Sequence, residues 1–515
     1  MSNWLNHRAF AWAALLLAGA ACSSNSSSSP ADTDLDSTGA ATDASAGAHL
    51  DATVAVTLPS AVHVLAGSDP ATADGTEAHP FSTVYAATTL IDAQTGWTGE
   101  LIVHAGQYAL ATDVVLSARA TLEVLPGAQF QLGDNISFHV QNDVKVVGTA
   151  AQPILFTWLV PNKHWGSFTN FEPTSTHNEV AYTIFEHSGE STFNGVGVRG
   201  AMSWRQAAGH IHHNECRFAE GDDCMAIRGS ISIVEYNYFH DNYNDCIDSD
   251  LSATGQEIRY NYFVHCGNDA VDLGEGSTSY VHDNIMLGSG DKGLSIGETS
   301  FPTARHNIMV GCNIGIGVKD SSDPILEFNT LYKNNLGLAQ YEAIAGLGGG
   351  KGVFRNGIIW GSFQADVARA AGSTVIEYSC IQSDVIAGSL TPEDGLPTIP
   401  LTGTGVITQT TGCPDPLFAD PPIVPTPVPN YGTSLELGDL HLKSIAGRFV
   451  MDPASDIYHG VIAGSSVATD TVTSPGINAG DPTSLFDLEP APNGGRADLG
   501  AYGDSPYASL SPATP

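Results

Sequence analysis

Five consecutive stretches of the sequence repeat one pattern. They read IVEYNYFHDNYNDCIDSD (233–250), IRYNYFVHCGNDAVDLGE (258–275), VHDNIMLGSGDKGLSIGE (281–298), ARHNIMVGCNIGIGVKDSS (304–322) and ILEFNTLYKNNLGLAQY (325–341). One asparagine recurs at intervals of 22 to 24 residues: Asn214, Asn237, Asn261, Asn284, Asn307 and Asn329. Short apolar alternations follow it and no helical period is sustained, so the units predict strands. A constant interval of this length predicts a solenoid in which each unit forms one coil.

Equal positions of successive coils form columns of like side chains. The coils of such a solenoid stack about 4.8 Å apart through their backbone ladders. The asparagine column suits a tight bend, because stacked asparagines satisfy one another and tolerate a left-handed backbone. We interpret this column as structural.

The composition excludes one class of partner and favours one fold class. The chain has 515 residues, with 19 Lys and Arg against 55 Asp and Glu, for a formal net charge of -36. Binding to nucleic acid depends on clustered Lys and Arg, so a nucleic-acid partner is excluded. Only 14% of residues are charged and 42% are apolar, which predicts a folded core despite the net charge. The high glycine content with short apolar runs favours an all-β protein.

The first residues predict export. An apolar run from Ala9 to Ala21 follows Arg8 and is too short to span a membrane, so residues 1–21 are predicted to be a signal peptide. Cys22 and the serines after it resemble a bacterial lipoprotein signal, which implies lipidation of Cys22; cleavage by the general signal peptidase is the alternative. Residues 22–55 predict a disordered Ser/Ala/Asp-rich tether. We expect a monomer that is exported as an outer-membrane or cell-surface lipoprotein, or secreted, and that meets a membrane only through this lipid.

The repeat units resemble the right-handed parallel β-helix of the pectin-lyase-like superfamily, secreted bacterial type. The resemblance implies an all-β, single-stranded right-handed parallel β-helix over residues 56–390. The segments DPLFAD (415–420), SPGINAGDP (474–482) and EPAPNGGRADLGAYG (489–503) resemble the C-terminal closing segment of such proteins. We therefore expect residues 391–515 to pack on the helix and to cap its exposed core. A salt bridge between Arg496 and Asp498 is expected within that cap.

The cysteines suggest disulfides in an oxidising compartment. Seven remain beyond Cys22, an odd number. Cys224 and Cys246 share a column on adjacent coils and are one possible pair. Cys380 and Cys413 flank a loop and are the other possible pair. Cys266 and Cys312 lie two coils apart in one column, too far for a bridge, and are expected to be buried thiols.

Aspartates interrupt the apolar and asparagine columns along one edge. The repeat places Asp223, Asp245 and Asp269 in one column, Asp248 and Asp272 in a second, and Asp250 two residues beyond Asp248. Like charges about 5 Å apart raise one another's pKa or bind a cation. Calcium takes six to eight oxygen ligands in flexible geometry, so these aspartates are candidate calcium ligands. The alternative is that they serve turns.

Two of the seven lysines lie beside these aspartates. Lys292 takes the place of Asp269 one coil later, and Lys319 follows in the next coil. One of them is a candidate Brønsted base that removes the C5 proton of a uronate while calcium holds the substrate carboxylate. The alternative is a surface ladder of salt bridges, from Lys292 to Asp269 or Asp291 and from Lys319 to Glu298.

Aspartates on consecutive coils beside a lysine are similar to the site of calcium-dependent β-helix pectate lyases. The ligands that this resemblance implies are Asp223, Asp245, Asp248 and Asp272. In that family the base lysine falls where this sequence has Ser295. The resemblance implies a calcium-dependent lyase on acidic polysaccharide. The alternatives are a non-catalytic surface lipoprotein that binds glycans or acts as a spacer, and a glycoside hydrolase, although the GHG and RIK segments of β-helix polygalacturonases are absent.

Overall fold

The structure is a computed structural model that describes residues 57–173, 177–391, 397–428, 435–451 and 465–513. The predicted signal peptide, the tether and the lipidation of Cys22 lie outside these residues. By its contacts the chain divides into residues 1–55 and a compact unit of residues 56–515, and the description that follows concerns the second.

Three sheets of 13 strands each form the body of this unit. Sheet I contains β1 (Ala61–Val64), β2 (Gly99–Val103), β5 (Ala120–Val124), β8 (Val144–Val147), β11 (Asn178–Ala181), β16 (Gly209–His212), β19 (Ser232–Glu235), β22 (Glu257–Arg259), β25 (Tyr280–His282), β28 (Thr303–Arg305), β31 (Ile325–Glu327), β34 (Val353–Arg355) and β37 (Val375–Glu377). Sheet II contains β3 (Gly106–Leu110), β6 (Ala128–Leu132), β9 (Ile154–Trp158), β12 (Thr183–Glu186), β17 (Glu215–Arg217), β20 (Tyr238–Asn242), β23 (Tyr262–Cys266), β26 (Ile285–Leu287), β29 (Ile308–Val310), β32 (Thr330–Tyr332), β35 (Ile358–Trp360), β38 (Cys380–Ile381) and β41 (Ile407–Thr408). Sheet III contains β4 (Val114–Leu116), β7 (Phe138–Val140), β10 (Phe168–Phe171), β15 (Met202–Arg205), β18 (Asp223–Arg228), β21 (Asp245–Asp250), β24 (Val271–Gly274), β27 (Lys292–Ile296), β30 (Ile314–Lys319), β33 (Leu336–Tyr341), β36 (Ala365–Arg369), β39 (Val385–Ala387) and β40 (Thr398–Pro400).

Each coil contributes one strand to each sheet in turn, and neighbouring coils pair in parallel, as β18 pairs with β21. The predicted parallel β-helix is therefore confirmed. The remaining elements lie outside the three sheets: α1 (Val84–Ala93), the hairpin β13 (Ser191–Phe193) with β14 (Val196–Val198), the pair β42 (Phe418–Asp420) with β43 (Asp439–Leu442), and the pair β44 (Arg448–Met451) with β45 (Ser465–Ala468).

The asparagine column forms the corner between sheets I and II. From Asn237 to Asn329, each side-chain Oδ1 accepts hydrogen bonds from the backbone N–H and the Nδ2 of the asparagine one coil earlier, at 3.0–3.1 Å. The residue before each asparagine from Asn214 to Asn329 has a positive φ between 52° and 56°. The column is buried, so its amides hold a strained corner and satisfy one another there.

Stacked apolar side chains fill the interior. Phe130, Phe156 and Phe185 stack with ring centroids 4.7 and 5.0 Å apart, and Phe239 lies 5.1 Å from Phe263. Burying one such side chain stabilises the fold by about 1.5–3 kcal/mol. The core is continuous from Leu58 to Ile386, which fixes the outer faces of the sheets as the available surface.

The first coils are covered by a helix that the repeat analysis did not predict. Thr83 caps α1, since its hydroxyl accepts the N–H of Ala86, and Val84, Ala87 and Ile91 pack into the core. These residues and Thr88, which is also buried, lie on one helical face, but the helix has only ten residues and is too short to show a clear period in the sequence.

The C-terminal boundary and cap differ from expectation. Strand β40 pairs antiparallel with β39, and β41 continues sheet II, so the β-helix extends past residue 390 to Thr408. Leu401 and Val406 pack against the core at this end. The described part of the closing segment instead packs along the flank of sheet II, where Phe418 and Leu442 join a cluster with Val310 and Tyr332. Burial of the apolar side chains of this cluster stabilises the segment on the flank.

The predicted Cys224–Cys246 disulfide is wrong. Cys216 pairs with Cys224 and Cys246 pairs with Cys266, with Cα atoms 6.4 and 5.6 Å apart. Cys224 and Cys246 are neighbours in one column, but their inward side chains meet cysteines of sheet II across a corner. Cys266 is therefore not the expected free thiol, whereas Cys312 is free and buried among the described residues. Cys380 and Cys413 form a disulfide, the pair suggested by the sequence.

Candidate functional site

Two columns of aspartates lie on sheet III. In β21, Ile247 and Ser249 point inward and are fully buried, so Asp248 and Asp250 point outward. The register pairs Asp223 with Asp245, and Asp248 with Asp272. The parallel pairing thus brings together the aspartates that the repeat placed in common columns.

The two columns converge at Asp245, Asp269 and Asp272. One carboxylate oxygen from each lies within 4.8 Å of the others. Asp245 Oδ1 accepts the N–H of Asp269 at 2.7 Å, and Asp269 Oδ1 accepts the N–H of Lys292 at the same distance. Asp245 and Asp269 thus each bind the backbone of the next coil through one carboxylate oxygen.

Burial makes this concentration of charge costly. Asp223 is 2% exposed and its Oδ2 has no hydrogen-bond partner. Burial and neighbouring carboxylates raise the pKa of Asp223, Asp245 and Asp248 well above the ordinary value. Burial, followed by the charge of Glu275, raises the pKa of Asp250 to about 6. The carboxylates therefore require a proton or a cation to neutralise them.

Two arginines border the aspartates. Arg199 pairs with Asp222 at 2.7 Å, and Arg228 bridges Asp250 at 2.7 Å and Glu275 at 2.5 Å. Both arginines form ion pairs at the margin of the site. The charges of Asp245, Asp269 and Asp272 must therefore be balanced by other positive groups.

Lys292 is locked into the site. Its Nζ donates to Asp269 Oδ1 at 3.1 Å and to Asp291, and the side chain is 4% exposed. Burial lowers its pKa, but the charge of Asp269 and other neighbours outweighs burial, and the net pKa lies well above the ordinary value. The salt bridges that the sequence offered for Lys292 are both present.

Lys319 is placed differently. Its side chain crosses Gly297, where an added Cβ would lie 2.5 Å from the Lys319 Cε. Among the described residues no carboxylate lies within 4.0 Å of its Nζ, so the expected salt bridge to Glu298 is not formed. Burial lowers the pKa of Lys319, but Asp272 and other charges raise it above its ordinary value. Of the two lysines beside the aspartates, Lys319 is thus the one whose ammonium group forms no ion pair with a carboxylate.

The repeat did not predict one neighbour of both lysines, Tyr341, or the glycines beneath them. Tyr341 pairs in register with Lys319, and burial raises the pKa of its phenol although both lysines lower it. Gly317 lies under Lys292, where an added Cβ would approach its Cδ to 2.6 Å. Glycines at outward positions of successive strands signal a close approach and could have been noticed in the sequence.

Comparisons with known proteins find likenesses among solved structures. No protein-family model matches the chain, and no curated protein matches it. Among solved structures the chain is similar to pectate lyase Pel9A, with 12% identity and a TM-score of 0.39, over 87% of this chain and 97% of that chain. It is also similar to the Dettilon tailspike protein gp208, with 14% identity and a TM-score of 0.34, over 63% of each chain.

The described residues contain no helix that is both long and apolar enough to cross a membrane.

Proposed function

We propose that this chain is an exported, polysaccharide-active protein and acts as a calcium-dependent lyase on acidic, uronate-containing polysaccharide. The observation that carries the proposal is the convergence of carboxylate oxygens from Asp245, Asp269 and Asp272 within 4.8 Å of one another, beside a lysine that no carboxylate holds. Export, with Cys22 as the lipid anchor, rests on the pattern of the first 22 residues.

The donor set fits calcium. All the converging groups are carboxylate oxygens, which are the ligands of a hard cation, and Asp223 Oδ2 is buried with no partner. Asp223, Asp248 and Asp250 border the converging three and would complete the ligand set. Bound there, calcium would hold a substrate carboxylate and stabilise the negative charge that develops beside it.

Lys319 would act as the base. Its amine takes the C5 proton of a uronate, the C5–H electron pair becomes the C4–C5 double bond, and the C4–O bond breaks. The departing oxygen then takes a proton from water. A neutral amine is needed for the first step, and neutralising Asp272 removes the largest of the charges that raise the pKa of Lys319. Lys292 is tied to Asp269 and Asp291 and would not act as the base.

Overall charge supports a calcium-bridged mode of binding. The net charge of -36 repels a polyuronate, so recognition requires a local positive centre. A bridging dication together with the two lysines provides one. Removal of calcium with a chelator is therefore expected to abolish both binding and cleavage.

A non-catalytic glycan-binding protein is the second candidate, because both lysines are held in the charged form. The pKa of Lys292 and that of Lys319 lie above the ordinary value beside the ionised carboxylates. If cation binding does not lower them, the same site would bind a polyuronate through calcium and ammonium groups without cleaving it.

Calorimetric titration with calcium is the first test. The parent chain is expected to bind calcium, Asp248→Asn/Asp272→Asn is expected to lose this binding, and the exposed pair Asp69→Asn/Asp134→Asn is the matched control. Binding that survives in the Asp248/Asp272 variant with unchanged affinity and stoichiometry would rule out the proposed site.

A second measurement separates the two candidate functions. Uronate polymers are mixed with the calcium-loaded chain, and the new double bond is followed by ultraviolet absorbance. Lys319→Met is expected to lower the rate by about 10²–10⁴-fold with calcium affinity retained. Calcium-dependent retention of polymer with no unsaturated product would establish the binding protein instead.

A further inference from the structure

Arg205 lies on the outer face of sheet III, on the side of the aspartates that is nearer the first coils. Trp204 of the same strand is fully buried in the core, so Arg205 points outward. The register places Arg205 beside Arg228, and Arg228 beside Asp250. Arg205 therefore lies in the same outer column as Asp250 and two coils away from it, which is about 10 Å along the helix axis.

The charge of Arg205 has no partner. Among the described residues no carboxylate lies within 4.0 Å of its guanidinium, no side chain or carbonyl accepts a hydrogen bond from it, and its Nε is buried. The residue as a whole is partly exposed, so solvent can reach it. An unpaired charge that is partly removed from water is costly, which indicates that a negatively charged ligand completes the site.

The other described arginines differ from Arg205 in this respect. Most of them form ion pairs with carboxylates. Arg369 donates to the side-chain oxygen of Gln340 at 2.7 Å. Arg496 donates to two backbone carbonyls and does not form the salt bridge that was expected with Asp498. Arg205 is thus the arginine of the described chain whose N–H donors remain available.

An aromatic platform holds the guanidinium of Arg205 in place. The guanidinium lies over the ring of Phe171, 5.9 Å from the ring centroid. Phe171 packs edge-to-face against Phe193 of the hairpin β13–β14, with centroids 5.3 Å apart, and Phe193 stacks on His139 at 4.2 Å. The contact with Phe171 uses the flat face of the guanidinium and none of its N–H groups. The donors are therefore free for a planar anion such as a carboxylate.

Positive groups lie on both sides of the converging aspartates along the helix axis. Arg205 belongs to β15, two strands before β21 in sheet III, and Lys319 belongs to β30, three strands after β21. The carboxylates of Asp245, Asp269 and Asp272 converge between them. Arg205 lies about 10–14 Å from this group by coil stacking, which is about the length of two to three pyranose units. A polymer that runs along the helix axis can contact all three places in turn.

We infer that Arg205 binds a second carboxylate of the polysaccharide, on a sugar unit that does not adjoin the unit held beside the aspartates. The inference rests on the proposed function and narrows its substrate to chains that carry several uronates close together, because an isolated uronate among neutral sugars would leave Arg205 unpaired. The terminal N–H groups of the guanidinium donate to the two oxygens of that carboxylate. The polymer then lies across the strands of sheet III from β15 to β30.

The test measures the binding of linear oligouronates to the full calcium-loaded chain by calorimetry, in the Lys319→Met background so that no cleavage takes place. A hexauronate spans both places and a diuronate does not. Arg205→Gln is expected to weaken hexauronate binding about tenfold and to leave the affinities for the diuronate and for calcium unchanged. Lys351→Gln, which removes one positive charge at an exposed position, is the control and is expected to bind like its parent.

Two further measurements support this one. Arg205→Lys keeps the charge but not the planar donors, so it is expected to weaken hexauronate binding about threefold, and it replaces Arg205→Gln if that variant does not fold. In the chain with Lys319 intact, Arg205→Gln is expected to raise KM for a polyuronate about tenfold with kcat nearly unchanged, because Arg205 touches no reacting atom.

The outcomes separate this inference from the proposed lyase. Equal hexauronate affinities of the Arg205→Gln and Lys351→Gln variants would overturn the inference, and calcium-dependent cleavage would then leave the lyase standing. An equal loss of diuronate and hexauronate binding would also overturn it, because Arg205 would then act on the aspartates themselves. Hexauronate binding that depends on Arg205 but not on calcium, without cleavage, would defeat the lyase and leave this contact. A chain that binds no oligouronate would overturn both.

Discussion

The asparagine column and the aspartate columns are built by the same repeat and behave in opposite ways. Both stack polar side chains at one position per coil. An amide carries a donor and an acceptor, so Asn237 donates to Asn261 and accepts from Asn214. A carboxylate only accepts, so each added aspartate adds charge without a matching donor. A polar ladder is therefore structural when its members are self-complementary, and it needs an external partner when they are not.

The largest expected effect comes from putting a carboxylate into the asparagine column. Asn261→Asp removes the Nδ2 that donates to Asn284 and to the carbonyl of Val234. A buried charge without a donor is expected to lower the free energy of unfolding by about 3 kcal/mol or more, measured by denaturant unfolding. Asn194→Asp, at an exposed turn, is the control. Equal stability of the two variants would show that the column does not depend on its amides.

The second prediction concerns pH and calcium. Burial raises the pKa of Asp250 and of Asp269 from 3.8 to about 6. A carboxyl with a raised folded-state pKa binds its proton more tightly in the fold, so its stabilisation is greatest below about pH 4 and is lost as pH rises through about 6.

Without calcium, stability to denaturant is thus expected to fall by on the order of 1–2 kcal/mol between pH 5 and pH 7. Saturating calcium at pH 7 is expected to restore it, and Asp269→Asn is expected to show a smaller change with pH. A metal-free chain that gains stability over this interval would contradict the assignment.

The smallest expected effect comes from displacing the Lys292 side chain. Gly317→Ala places a methyl group 2.6 Å from the Lys292 Cδ, and the flexible side chain is displaced from Asp269. The expected loss of stability is about 1 kcal/mol or less. Because the competing ammonium leaves, calcium affinity is expected to rise about threefold in calorimetry. Gly197→Ala, where an added Cβ meets no atom within 4 Å, is the control. A weaker calcium affinity in Gly317→Ala would show that Lys292 supports the site.

The sequence by itself determined the repeating coil and what stands in each column. The constant interval fixes the parallel stacking, and parallel stacking fixes which residues are neighbours, so Asp248 beside Asp272 and the asparagine ladder followed directly. Such contacts join neighbouring coils, and a single strand register between the coils determines all of them.

Tertiary structure decided what meets across corners and between distant segments. Column neighbours Cys224 and Cys246 instead bond to cysteines of sheet II, because inward side chains of adjacent sheets converge. Lys292 is tied to Asp269 whereas Lys319 is not, a difference that depends on the path of each side chain over a glycine. The closing segment lies on the flank because apolar surface was available there.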